Sequence, residues 1–321
     1  MNSFKMNREI VLVFFTFLLV LFVSCDDDSS PEEGGDDFDH EAQIPIDQAL
    51  LLTYFEEHYV DSNSGELVAL GDEELPVGET LLSDDPKLDS IVGIEQNSTI
   101  ADYTLYYYIT QEGTDSSGFG SPSPVDSVYV KYKGMLLDGT VFDSIPYNDI
   151  EPPSWIQLTN TIAGWSYGFQ KFKRGDFSTS GDNDHEFSMQ GEGYIFFPSG
   201  IGYKNFAQSS IPANSPLVFQ LQLNDVNLID TDLDDVPTKY EMTIDEAGNY
   251  SFYDTDGDGF NDYNDKDDDN DTKLTIDEVA LEYPTFDSER GFREFTYDPT
   301  GKTIVAKGTT DGVPNYKDRE K

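Results

Sequence analysis

The chain has one cysteine, three histidines and 19 Lys plus Arg against 63 Asp plus Glu in 321 residues. A single cysteine cannot close an internal disulfide, so no covalent staple holds the fold. His40, His58 and His185 lack the spacing of a metal site and read as surface or loop residues. The shortage of basic residues leaves a formal net charge of -44, a field that repels phosphate backbones and excludes nucleic acid as a partner. The same field draws cations. Nucleophile-elbow and Walker-type loops are also missing. No apolar run is long enough to span a bilayer, because the longest, Ile10 to Val23, has about 14 residues against the roughly 20 required.

What is present argues against a disordered acidic chain. Aromatics make up 13% of residues, with 22 Phe and 19 Tyr, whereas disordered acidic segments are poor in them. The length leaves room for two modest domains. At the N-terminus, Lys5 and Arg8 precede the apolar run, which ends at Ser24-Cys25, the layout of a secretory signal. With Leu21, Val23 and Ser24 before the cysteine, and Phe22 where Leu is commoner, it resembles a bacterial lipoprotein signal. The resemblance implies a mature chain that begins at an acylated Cys25. Two or three acyl chains, at about 0.8 kcal/mol per buried methylene, hold firmly to a membrane. Asp26 to Asp28 resemble the acidic export tag of Bacteroidota surface lipoproteins, and residues 25–43 read as a flexible tether. The expected location is the outer membrane, facing the periplasm or the cell surface.

Beyond the tether, "IPIDQALLLTYFEEHY" predicts a short helix with Asp47 as N-cap and Leu51, Leu52 and Phe55 on one face. "ADYTLYYYIT" alternates with the period of a strand, and "QEGTDSSGFGSPSP" breaks it. In "DSVYVKYKGMLLDGTVFDS", Val128, Val130 and Tyr132 share one strand face, Lys131 and Lys133 the other, and Asp138-Gly139 marks a tight turn. "TIAGWSYGFQKFKRGD" places Trp165, Phe169 and Phe172 at helical spacing before a Gly175 stop. "GYIFFPSGIGY" is a strand closed by Pro198, and "SPLVFQLQLND" alternates again. Strands surrounding one short helix predict an α+β fold, an antiparallel half-barrel.

Four blocks in this order, "VKYKGMLLDGTVFDS", "IAGWSYGFQKFKRGD", "FFPSGIGY" and "IPANSPLVFQLQL", resemble the FKBP-type peptidyl-prolyl cis-trans isomerases. The resemblance covers roughly Val125 to Val226. It implies a proline pocket lined by Tyr132, Phe142, Asp143, Ile162, Trp165, Tyr203, Ile211 and Phe219, a reaction without a cofactor, and proline-containing peptides or proteins as substrates. Trp165 would be the floor, Phe142, Phe219 and Ile162 the walls, and the Tyr203 hydroxyl and Ile162 N-H donors to substrate carbonyls. The chain departs from the family pattern in Thr161, where an apolar residue is usual, in Lys204, which replaces a glycine, and in a polar insertion, "FSTSGDNDHEFSMQGEG". The other reading of this scaffold is a non-catalytic surface binding or structural lipoprotein.

The acidic run has its own register. Calcium takes six to eight oxygens, and a loop supplying them at positions 1, 3, 5, 7, 9 and 12 wraps one ion. One loop offers Asp254, Asp256, Asp258, the Phe260 carbonyl, Asp262 and Asp265, with Gly259 at the turn position. Another offers Asp267, Asp269, Asp271, the Lys273 carbonyl, Thr275 and Glu278, with Thr272 where glycine is usual. An earlier copy supplies Asp230, Asp232, Asp234 and Glu241, and Thr309 to Asp318 looks like a degenerate fourth. These loops resemble EF-hand loops and, in tandem, thrombospondin type 3 repeats, which implies structural Ca²⁺. "REFTYDPTGKTIVAKG" reads as a hairpin about Pro299-Thr300-Gly301. The expected organisation is a signal (1–24), a tether (25–43), an N-terminal extension with a short helix (44–100), an isomerase domain (101–229) and a calcium-loop region (230–321).

Overall fold

A computed structural model describes residues 38–96, 99–116, 118, 120–147, 151–179, 185–287, 292–293, 295, 304 and 314–317. The signal, Cys25, the acidic tag, the Pro299-Thr300-Gly301 turn and most of the degenerate fourth loop lie outside them. Helix α1 (His40–Glu57) leads into a small hairpin, β1 (His58–Val60) and β2 (Leu67–Ala69). Strands β3 (Leu88–Gln96), β4 (Thr99–Gln111), β5 (Ser127–Leu136), β6 (Val141–Ile145) and β7 (Ser154–Gln157) precede helix α2 (Ala163–Gly168). A hairpin of β8 (Asp176–Thr179) and β9 (His185–Ser188) then leads to β10 (Gly191–Phe197) and β11 (Leu217–Asn227). The C-terminal region holds β12 (Met242–Ile244), β13 (Tyr250–Phe252), α3 (Thr275–Glu282), β14 (Phe286–Asp287) and β15 (Phe292–Arg293).

Seven strands build one antiparallel sheet in the order β3-β4-β10-β11-β5-β6, with β7 paired to the first half of β5. The fold is therefore α+β, with few helices on an antiparallel sheet. Alternation in β5 buries Val128, Val130 and Tyr132 and half-exposes Lys131 and Lys133, because successive side chains of a strand leave opposite faces. The expected turn closes β5 to β6: Gly139 adopts φ 83°, and its N-H donates to the Leu136 carbonyl at 3.0 Å.

Each face of the sheet has its own core. One carries α2, with Trp165, Phe169 and Phe172 packed on Ile195, Phe197, Leu217 and Phe219. The other carries α1, where Leu51, Tyr54 and Phe55 meet Tyr108, Tyr194, Phe196 and Val218.

Helix α1 differs from its expected form. It begins at His40, capped by Asp39, whose side chain accepts from Ala42 N. Asp47 lies inside the helix and is fully buried, and Leu52 faces solvent. Pro45, near the N-terminal end, costs the helix a backbone bond without ending it. Helix α2 is also shorter than its pattern suggested. It gives way to a tight 3-10 turn at Phe169–Lys171, and the chain is extended from Phe172, before Gly175. Two histidines, both half-buried, are tied into the structure: His40 bonds the Tyr103 hydroxyl, and His58 Nδ1 donates to the Tyr54 carbonyl at 2.9 Å.

The C-terminal region joins the first core through Val236, Tyr240, Val279, Tyr283 and Tyr316. Asn249 latches it to β3, donating to the Gly93 carbonyl and accepting from Glu95 N and the Tyr167 hydroxyl. Among the described residues no helix is long and apolar enough to cross a membrane.

Candidate active site and acidic loops

Strand β5 delivers Tyr132, β6 delivers Phe142 and Asp143, α2 delivers Trp165 and β11 delivers Phe219. Their rings meet edge to face. Tyr132 and Trp165 lie 4.9 Å apart at 82°, Trp165 and Phe219 5.3 Å apart at 89°, and Phe142 and Phe219 5.5 Å apart at 81°. The ring quadrupole favours such contacts over face-to-face stacking. Gly134, next on the face of Tyr132, has no room for a side chain. A Cβ there would stand 2.6 Å from the Phe142 ring and 2.7 Å from that of Phe219.

At the rim the Tyr132 hydroxyl donates to Asp143 Oδ2 at 2.7 Å. Burial, and then this bond, raise the Tyr132 hydroxyl's pKa. Burial, and then the Asp143 charge, raise that of Tyr203. Both phenols therefore stay protonated and able to donate. Ile162, Tyr203 and Ile211 pack against the same core. Ile162 stands just before α2 with its carbonyl accepting from Trp165 N at 2.9 Å, and its own N-H has no partner among the described residues. The Trp165 indole N-H is buried without a partner. All eight residues expected at the proline pocket thus belong to one contiguous part of the fold.

Sequence reading missed what holds the loop that carries Tyr203. Asp47 accepts from Ser199 N at 2.7 Å and from Ser199 Oγ at 2.6 Å, which fixes the 3-10 turn Ser199–Ile201. No local pattern joins residues 152 positions apart. Thr161 turns its hydroxyl onto the Leu158 carbonyl at 2.7 Å. Lys204 occupies a left-handed position, φ 56°, where glycine would be unstrained. The polar insertion is partly the β8-β9 hairpin, whose Phe187 packs 5.5 Å from Tyr129.

The three acidic loops share one backbone form. Positions 4 and 6 are left-handed in each: Leu233 and Asp235, Gly257 and Gly259, Asn270 and Thr272. Position 1 accepts from N-H groups of its own loop, and the position 5 carboxylate accepts from the N-H of position 7, at Val236, Phe260 and Lys273. The N-H of position 9 returns to the carbonyl that precedes position 1, in Thr238 to Ile229, Asp262 to Tyr253 and Thr275 to Lys266.

Carboxylates gather within 4.8 Å in each loop: Asp230 with Asp232 and Asp234, Asp254 with Asp256 and Asp258, and Asp267 with Asp269 and Asp271. Asp262 and Asp265 stand apart from these sets. Asp262 accepts from Thr255 and Lys317, and Asp265 from Asp267 N. Glu278 pairs with Lys273 at 3.6 Å; burial, and then the charges of Asp269 and Asp271, raise its pKa. All-oxygen donors suit a hard cation such as Ca²⁺.

An antiparallel sheet packed on a short helix thus carries an edge-to-face aromatic cluster with two phenols beside it. Residues 120–179 match the model of the FKBP-type peptidyl-prolyl cis-trans isomerase family. A probable isomerase of this type, FkpA of Neisseria meningitidis, is 34% identical over 120 residues, covering 37% of this chain and 36% of that protein. The outer membrane protein MIP of Legionella longbeachae is 25% identical over 174 residues, covering 54% and 63%. The crystal structure of FkpA from Escherichia coli aligns at a TM-score of 0.33 with 24% identity over 58% of this chain and 62% of that one. The chain thus spans little more than a third of the length of the first of these relatives.

Proposed function

We propose that this protein is an FKBP-type peptidyl-prolyl cis-trans isomerase, exported, anchored by lipid on Cys25 in the outer membrane, and stiffened by calcium in its C-terminal loops. The observation that carries the activity is the edge-to-face set of Tyr132, Phe142, Trp165 and Phe219 with the Tyr132-Asp143 bond at its rim, much of it inside the segment that matches the family. Rotation about an X-Pro bond must break amide resonance against a barrier of about 18–20 kcal/mol. The twisted amide is less charge-separated than the planar one, so a water-poor aromatic site disfavours the planar form more. The Ile162 N-H and the Tyr203 hydroxyl supply donors that orient substrate carbonyls. No nucleophile or cofactor is required. Substrates are proline-containing peptides or proteins in the envelope. Supporting the location are the signal-like N-terminus and the similarity to a protein named for the outer membrane. Supporting calcium are the three loops of common backbone form.

The test is the cis-to-trans rate of a Leu-Pro peptide with the full chain and with its Trp165→Ala, Tyr203→Phe double variant. Acceleration by the wild type, abolished in the variant, is expected. No acceleration by the wild type would leave a non-catalytic binding lipoprotein as the reading.

A further inference from the structure

Besides the three loop clusters there is a fourth set of carboxylates that no single loop supplies. Asp234 and Glu241 of the first loop and Asp268 of the third bring oxygens within 4.8 Å of one another. Asp268 is second in its own loop, outside the 1-3-5 ligand spacing. Glu241 is 0% exposed and Asp234 and Asp268 are 2% exposed. Both oxygens of Glu241 and Asp268, and Oδ2 of Asp234, have no hydrogen-bond partner, and neither does either oxygen of the neighbouring Asp232.

Native proteins leave few buried polar atoms unpaired, because each gives up its hydration for no bond in return, and charged groups give up most. Charge compensation here is thin. Lys317 is engaged with Asp262 at 3.0 Å and reaches Glu241 and Asp268 only through its field. Protonation would remove charge one acid at a time and give each a single O-H to share with a neighbouring oxygen. A divalent cation answers both deficits.

We propose that Asp234, Glu241 and Asp268, with Asp232 beside them, form a calcium site that bridges the first and third loops, in addition to any ion held within one loop. Oxygens bound to one Ca²⁺ at 2.3–2.6 Å are at most about 5 Å apart, which matches the observed spread. Mg²⁺ keeps several waters, which suits a rim better than carboxylates this deeply buried. Tyr316, buried in the turn Asn315–Lys317, lies in the field of Asp268 and Glu241. One ion therefore fastens the first and third loops together.

The test uses the full chain, stripped with chelator and titrated with calcium alone, followed by calorimetry and thermal melting. Asp268→Asn alters only the bridging set, and Asp256→Asn only the second loop. Asp268→Asn is expected to bind one ion fewer than wild type and to lose at least about half of the calcium-dependent rise in Tm. In chelator it should be at least as stable as wild type, since it removes a buried acid without a partner. Unchanged stoichiometry and an unchanged Tm rise would overturn the bridging site, and a loss in Asp256→Asn alone would then leave the loop-by-loop reading standing. The reverse pattern keeps the bridge and removes the second-loop site. Equal destabilisation with and without calcium, or failure to fold in both, would mark Asp268 as a packing residue and overturn the proposal. Absence of calcium binding by the wild type overturns both.

Discussion

Gly134 and Asp47 show how single residues set the proposed pocket. A methyl group at Gly134 collides with the rings of Phe142 and Phe219. Gly134→Ala is therefore expected to cost about 1–3 kcal/mol by overpacking, measured by urea denaturation. It should also lower peptide kcat/KM, roughly tenfold for each 1.4 kcal/mol lost from the transition state. Asp47 acts from the opposite side of the sheet. Asp47→Ala leaves the Ser199 N-H and hydroxyl buried without their acceptor, a loss of about 1–3 kcal/mol. Because the turn at Ser199 leads directly to Tyr203, kcat/KM should fall as well and recover partly in Asp47→Asn, which keeps an accepting oxygen. A purely structural role would move stability without that graded recovery.

At the scale of elements, the corner between α1 and β1 carries a pH response. His58 donates to the Tyr54 carbonyl, one of the orphan carbonyls at the helix end, and stacks on the Tyr54 ring at 3.6 Å. Burial, outweighing that bond and the Glu57 charge, lowers its pKa. A base with a lowered folded pKa favours folding fully above its ordinary value of about 6.5. That contribution is lost as pH falls from there through the lowered value. Wild type is expected to lose stability over that window relative to His58→Gln, in paired denaturant titrations across pH 7 to 5. Parallel curves for the two proteins would show that the imidazole does not titrate with unfolding.

For the molecule as a whole, the core beneath α2 runs on into Val236, Tyr240, Val279 and Tyr316, so the acidic region shares the core of the sheet. Calcium bound only by the folded state at a hundred times its Kd would add about 2.7 kcal/mol. The full chain is expected to melt in one transition that shifts upward with calcium and returns with chelator. The hydrogen-bond and ring contacts of the pocket come from residues between Tyr132 and Phe219. Chelation should therefore change peptide kcat/KM at 25 °C by less than about twofold, an expectation that rests on those contacts and is checked in the same isomerase assay.

The sequence by itself determined what depends on neighbours along the chain. Alternation in 127–136 and 217–227 gave strand faces, because a strand repeats every two residues, and Asp138-Gly139 gave the turn between β5 and β6. The register of Asp230, Asp254 and Asp267 gave three loops of one form, even where Leu233 and Thr272 hold left-handed positions that glycine usually fills. Four ordered blocks pointed to the residues of the proposed pocket. Local pattern misplaced the start of α1, because Asp47 looks like a helix cap until its carboxylate is seen to reach Ser199. It also overextended α2, whose aromatic spacing continues past the last helical turn. Only tertiary structure decided the latch at Asn249 and the meeting of Asp268 with Glu241. Such contacts follow from how distant segments pack, and no spacing along the chain encodes them.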